Sequence, residues 1–375
     1  MRFSLIFEAQ MNDASPANEQ RVLRHCVDEA VFAEEMGFDA IWAVEHHALT
    51  WYSHMSAPEI FLSFVAARTQ RVRIGHGCVL MPFGFNHPVR VAERLAMLDV
   101  LSEGRLEVGG GRGATRQETG LFGVNVDDTY PELEETLRIL STIWREERFE
   151  WHTDRLDVPD RPITPHPVQM PHPPLHIACT KQDTVRLAAE MGVGALVLGF
   201  GGPDEITGLR KIYDDAIATR SGDRFVSDHP NDHFAALCPT IVLDDADEAF
   251  RIGTRGQRFF AEAIHHWYGT GNPPELAIDA GDNVEAMKQD MRIVAARLSE
   301  MNIPLTRAAT ALYTPPDHAY GDWRNAIEYA ERLVEAGADE ILCLTQMGTV
   351  SHDVGMETIR QWGEHVIPHF RARGL

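Results

Sequence analysis

Eight short apolar runs, most followed by a segment of helical periodicity, recur along the chain, and this alternation limits the folds open to it. The runs are Arg2 to Phe7, Phe38 to Val44, Val72 to Met81, Arg105 to Val108, Leu175 to Cys179, Gly194 to Leu198, Phe234 to Leu243 and Glu340 to Thr345. Helical spacing appears at Glu19 to Met36, Ala57 to Arg68, Pro88 to Leu101, Glu132 to Glu147, Thr184 to Met191, Asp204 to Arg220, Ala246 to Trp267 and His352 to Phe370. Eight such units in 375 residues predict an α/β protein of the (β/α)8 TIM-barrel class, built as one domain with insertions, rather than an open sheet. No glycine-rich dinucleotide fingerprint follows the first strand, which argues against a Rossmann fold.

Two segments break the repeat. The stretch from about 150 to 174 holds seven prolines between Pro159 and Pro174 and is expected to be a stiff, extended insertion. The stretch from about 268 to 321 is rich in glycine, proline and acid, with a helical pattern from Glu285 to Met301, and is expected to act as a lid.

Bulk properties exclude several partners. Lysine and arginine number 34 against 56 acids, a net charge of −22, which disfavours nucleic acid and anionic membranes. An anionic ligand would need a local cationic seat. No apolar run is long enough to span a bilayer, and MRFSLIFEAQ turns polar too soon for a signal peptide. The five scattered cysteines read as reduced thiols of a cytoplasmic protein.

Polar residues at the C-terminal ends of barrel strands face the active site. The second strand leads into Glu45-His46-His47, so His46 is the first catalytic candidate; the alternative is a histidine hydrogen-bonded for structure only. Adjacent strand residues point to opposite faces, so His46 and His47 are not both expected at the centre. No HExxH or CxxC spacing occurs, and no metal site is expected. The fourth strand runs into Gly109-Gly110-Gly111-Arg112-Gly113, where bare backbone and a fixed cation could seat a phosphate, or simply form a solvated turn. After the fifth strand, Thr180-Lys181 leads a helix whose free amides could bind an anion, with Thr184 in its first turn.

The runs GFDAIWAVEHH and HPVRVAE, then SEGR and the Gly-Arg loop, and LAAEMG resemble the bacterial luciferase-like family of flavin-dependent monooxygenases. That resemblance implies a two-component enzyme using FMN, delivered reduced by a separate NAD(P)H-flavin reductase, with O2 as co-substrate. A flavin C4a-(hydro)peroxide would then oxygenate a small organic substrate. It implies His46 as the catalytic residue, and Gly77-Cys78 as a shelf beneath the flavin ring joined by a non-proline cis peptide. Arg112, Thr180, Lys181 and Thr184 would hold the phosphate, with Tyr130 where some relatives have a second arginine. Glu45, Ala114 and Ala178 complete the implied cofactor set. Gly111 stands where luciferase itself has a reactive cysteine, so light emission is not implied. Trp51, Phe83, Phe85, Phe200 and Trp267 are expected to line the substrate pocket, and a homodimer is expected. The alternatives are a deazaflavin-dependent oxidoreductase, a non-catalytic flavin-binding barrel and a metal-dependent hydrolase.

Overall fold

The computed structural model describes residues 1–113, 115–199, 202–269, 272–274 and 318–375. Strands β1 (Arg2–Phe7), β2 (Ala40–Ala43), β3 (Arg73–Leu80), β4 (Leu106–Gly111), β7 (Leu175–Cys179), β8 (Gly194–Val197), β9 (Phe234–Val242) and β11 (Glu340–Leu344) are parallel. They pair in that order, and β11 pairs back onto β1, closing an eight-stranded (β/α)8 barrel. These strands read as near-continuous apolar runs because helices cover the outside and side chains fill the inside. Trp42 shows how tightly: it is fully buried, and a Cβ at Gly75 would lie 2.3 Å from its ring, so β3 needs glycine there.

Helices α1 (Pro16–Glu35), α2 (Pro58–Arg68), α3 (Pro88–Leu101), α5 (Thr129–Ile143), α6 (Gln182–Met191), α7 (Gly202–Thr219) and α8 (Ala246–Tyr268) match expected segments, shifted by a few residues at their ends. Pro16, Pro58 and Pro88 occupy first-turn positions, where a missing N–H costs nothing.

Several elements depart from expectation. A short helix, α4 (Arg116–Phe122), follows β4, and α9 (Trp323–Glu335) precedes β11, started by Asp322 accepting from the Arg324 and Asn325 N–H groups. The expected final helix is broken: α10 (His352–Gln361) passes through a wider turn at Trp362–Val366 into α11 (Ile367–Ala372). Pro368 explains the break, since it removes a donor and crowds the carbonyl one turn earlier. The proline-rich insertion is not extended throughout. It opens with an antiparallel hairpin, β5 (Phe149–His152) and β6 (Asp157–Arg161), because most of its prolines come later. Its far end is pinned to α3, where Asp99 accepts the Val168 and Gln169 N–H groups at 2.8 and 3.0 Å. A short strand, β10 (Ala319–Gly321), pairs with the end of β9. The segment 285–301 and most of the expected lid lie outside the described residues.

Candidate active site at the barrel mouth

β2 ends at Ala43, so Glu45, His46 and His47 stand on a loop and not on the strand itself. Their side chains diverge all the same, because two carboxylates hold them apart. His46 Nδ1 lies 2.9 Å from Glu118 Oε1, and its ring faces Tyr52. His47 Nε2 lies 3.0 Å from Glu45 Oε1, and its ring packs on Phe122. Glu45 also accepts the Leu80 N–H at 2.7 Å and an Asn86 amide N–H at 3.0 Å, which ties the loop to the end of β3.

Glu118 is the residue that sequence reasoning missed. It is fully buried, and its Oε1 also accepts the His47 N–H at 3.2 Å, while Oε2 accepts from the Thr115 hydroxyl at 2.6 Å. Thr115-Arg116-Gln117-Glu118 is a helix-capping pattern, Thr115 accepting the Glu118 N–H at 3.1 Å, and this signal was available in the sequence. Burial works against the charge on both partners. The hydrogen bond and charge attraction between them, with the neighbouring carboxylates at His46 and the Thr115 and His47 donors at Glu118, together outweigh it, holding His46 above the ordinary histidine value and Glu118 below the ordinary carboxylate value.

Glu8, at the end of β1, was also missed. It is buried, accepts from the Gln10 amide at 2.6 Å, and burial pushes its carboxyl up to about 7.

At the end of β3 the ladder to β4 slips, Gly77 pairing with Gly109 but Val79 with Gly110, so Cys78 stands out as a bulge. The expected cis peptide is not present. Cis bonds among the described residues join Thr164–Pro165 and Met170–Pro171, and the bulge turns Cys78 out of the ladder without one. Burial raises the Cys78 thiol, which leaves it protonated and inert. The glycines of β4 also differ from expectation. A Cβ at Gly109 would meet the His76 carbonyl at 2.4 Å, one at Gly110 the Met81 sulfur at 2.6 Å, and one at Gly111 the Cys78 sulfur at 2.1 Å. They serve packing within the barrel wall, and Cys78 fills the space in front of Gly111.

Arg112 follows β4 and lies over the Tyr130 ring, 4.7 Å from its centroid, with no carboxylate partner among the described residues. β4 pairs with β7, so Arg112 emerges beside Thr180 and Lys181. Thr184 accepts the Lys181 N–H at 3.2 Å and closes the first turn of α6, and Ala178, on β7, is half-buried. Tyr130 and the α6 residues Asp183, Arg186 and Leu187 line one cleft of about 670 Å³.

The expected substrate-pocket residues separate into two groups. Trp51 and Trp267 come together, ring centroids 6.4 Å apart, and the Trp267 indole donates to the Thr50 carbonyl at 2.8 Å. Phe85 packs instead on Phe122, on the His47 side, with Phe83 anchored by its N–H to Glu132. Ala114 and Phe200 lie outside the described residues. Two further hollows, of about 410 Å³ between α1 and α10 and about 580 Å³ between α1 and α2, are lined by neither His46 nor Arg112.

The sequence model of the luciferase-like monooxygenase family matches residues 1–299. The chain belongs to that family. Among its relatives is the oxygenase component of the flavin-dependent trigonelline monooxygenase of Acinetobacter baylyi, 29% identical over 277 residues and 72% of each chain. The F420-dependent glucose-6-phosphate dehydrogenase of Microbacterium testaceum is 28% identical over 95% of this chain and 96% of its own. In fold, the barrel superposes on the oxygenating constituent of 3,6-diketocamphane monooxygenase from Pseudomonas putida, solved with FMN. Its TM-score is 0.72, with 19% identity and 98% of each chain covered. Members of this family are oxidoreductases, and the related monooxygenases are flavin-dependent.

Proposed function

We propose that the protein is the oxygenase component of a two-component, FMN-dependent monooxygenase acting on a small organic substrate. The observation that carries this is the order of groups along the rim. β2, β3, β4 and β7 are neighbours, and their ends carry His46, the Gly77-Cys78 bulge, Arg112 and Thr180-Lys181 in turn. Three strand steps of about 4.8 Å span about 14 Å, the scale of a flavin mononucleotide laid along the rim.

In this reading Arg112, Thr180, Lys181 and Thr184 hold the phosphate. Tyr130 supports the guanidinium with its ring face. Bare amides at the start of α6 add the positive end of its dipole. Gly77, Cys78, Ala178 and Ala114 leave room for the ring, and Glu45 fixes the loop around it. Trp51 and Trp267 border the substrate, with Phe83, Phe85 and Phe200 further round. Reduced FMN, supplied by a separate NAD(P)H-flavin reductase, provides the oxygen-activating chemistry with O2. The protein's own part is to bind, to exclude water and to manage protons at His46, whose Nδ1 is committed to Glu118 and whose Nε2 is left for the reaction.

The test is to mix the protein with reduced FMN and then with reduced deazaflavin and follow oxygen uptake. Uptake with FMN supports the proposal. Hydride transfer from deazaflavin without uptake supports the second reading, favoured by the near full-length match to an F420-dependent relative.

Two finer points belong to this proposal. Ile60, Phe64, Met97 and Leu101 are 60, 62, 54 and 68% exposed on α2 and α3, an apolar face suited to a homodimer. Light scattering should give twice the chain mass, and Phe64→Asp should halve it. The five cysteines are free and buried, and no described helix is long and apolar enough to cross a membrane; we place the protein in the cytoplasm.

A further inference from the structure

The hairpin of β5 and β6 is left unused by the proposed function, yet it walls the cleft of about 670 Å³ beside the phosphate seat. That volume falls within the roughly 300–1,000 Å³ of small-molecule sites. Trp151 and Arg155 line the cleft from the hairpin, Tyr130 from α5, and Arg186 and Leu187 from α6. Seat and cleft share a residue, because Arg112 lies 4.7 Å over the ring of the same Tyr130. On α6 they adjoin, since Asp183 lines the cleft and Thr184 belongs to the seat. The outer side of the seat therefore gives onto the cleft.

The side chains of the cleft are not equally committed. Arg155 is exposed and has no carboxylate partner among the described residues. Arg186 reaches Asp183 at 3.9 Å, and the Asp183 side chain is itself 91% exposed, so this pair is weak. By contrast, Arg138 and Arg224 are held by Glu134 at 3.0 and 2.8 Å, and Arg224 also by Glu190 at 2.6 Å. The half-buried Trp151 ring stacks on Phe149, centroids 6.0 Å and planes 13° apart. Its indole N–H donates to Glu135 at 2.9 Å, and the Thr153 hydroxyl donates to the same oxygen at 2.7 Å. The indole is thus fixed in orientation, and Glu135 is occupied.

We propose that the cleft is an adenylate subsite continuing the phosphate seat, so that the chain binds flavin adenine dinucleotide (FAD) as well as FMN. Arg155 and Arg186 take the second phosphate, for which a planar, permanently charged guanidinium is well suited. The adenine lies against Trp151 and Leu187, a fixed aromatic ring and an apolar side chain. In an acidic chain such loosely held arginines are the groups that can answer a second anionic charge. This rests on the phosphate seat of the proposed function and uses nothing in the ring site.

Calorimetric titration of the cofactor-free protein with oxidised riboflavin, FMN and FAD tests this without turnover. FMN should bind more tightly than riboflavin, and FAD more tightly than FMN by on the order of tenfold, the effect of one added charged hydrogen bond. Arg155→Glu should abolish the advantage of FAD and leave FMN and riboflavin binding as they were. Trp151→Leu should weaken FAD binding alone, again by on the order of tenfold. By NMR, the Trp151 indole N–H resonance, assigned by its loss in Trp151→Phe, should shift with FAD and stay in place with FMN. FAD that binds no more tightly than FMN, Arg155→Glu that weakens both alike, or a Trp151 resonance unmoved by FAD overturns the subsite and leaves the seat intact. FMN that binds no better than riboflavin overturns the seat instead. Adenosine monophosphate, titrated alone and followed at the Trp151 resonance, then decides whether the cleft takes an adenylate by itself.

Discussion

Replacing Glu118 by glutamine keeps the size of the side chain and removes its charge, and the consequences can be worked from the geometry. The His46 bond to Glu118 is 2.9 Å long, Glu118 is fully buried and the His46 side chain is only 14% exposed, so solvent screens the pair little. A hydrogen bond to a charged group is worth about 1.5–3 kcal/mol against about 0.5–1.5 for a neutral one. The difference of about 1 kcal/mol is close to the 1.36 kcal/mol of one pKa unit. Glu118→Gln should therefore lower the His46 titration midpoint by about one unit, read from its ring protons by NMR. The sign for stability follows. His46 is raised in the folded state, so its contribution is fully present below the unfolded value of about 6.5 and is lost as pH rises through the folded value. The wild-type urea midpoint should lose that increment across neutrality, and the variant should lose less. Under the proposed function the variant should also bind reduced FMN normally and waste more of it as hydrogen peroxide. An unchanged His46 midpoint would refute the role given to Glu118.

Arg112→Ala should weaken FMN binding by on the order of tenfold to a hundredfold while leaving riboflavin binding unchanged, measured by fluorescence quenching. Wild-type protein that binds the two flavins equally would remove the phosphate seat. Gly111→Ala should be destabilised by about 1–3 kcal/mol through its collision with the Cys78 sulfur, and Cys78→Ala should relieve much of that cost in the double variant. Additive melting shifts would show that the two positions do not touch. Cys78→Ala alone should retain flavin binding, because a protonated, buried thiol contributes packing and not reactivity.

The barrel was legible in the sequence because its cause is local. Each strand is a short apolar run and each main helix a 3.6-residue pattern, and eight of them in one chain leave few architectures. That Arg112 and Thr180-Lys181 stand at neighbouring strand ends was legible for a similar reason, since each follows a strand directly and β4 pairs with β7. The rest depended on distances that sequence spacing does not encode. Glu118 lies 72 positions from His46, yet a capped helical turn after β4 brings its carboxylate onto the imidazole. Glu8 looked like an ordinary polar residue after a strand; only burial in the closed barrel pushes its carboxyl up to about 7. The glycines of β4 read as open backbone for a ligand, while the closed barrel fills the space before them with His76, Met81 and Cys78. Sequence determined which eight strands build the barrel and in what order. Barrel closure alone decided which charges are desolvated together, because the energy of a buried proton depends on what surrounds it in space.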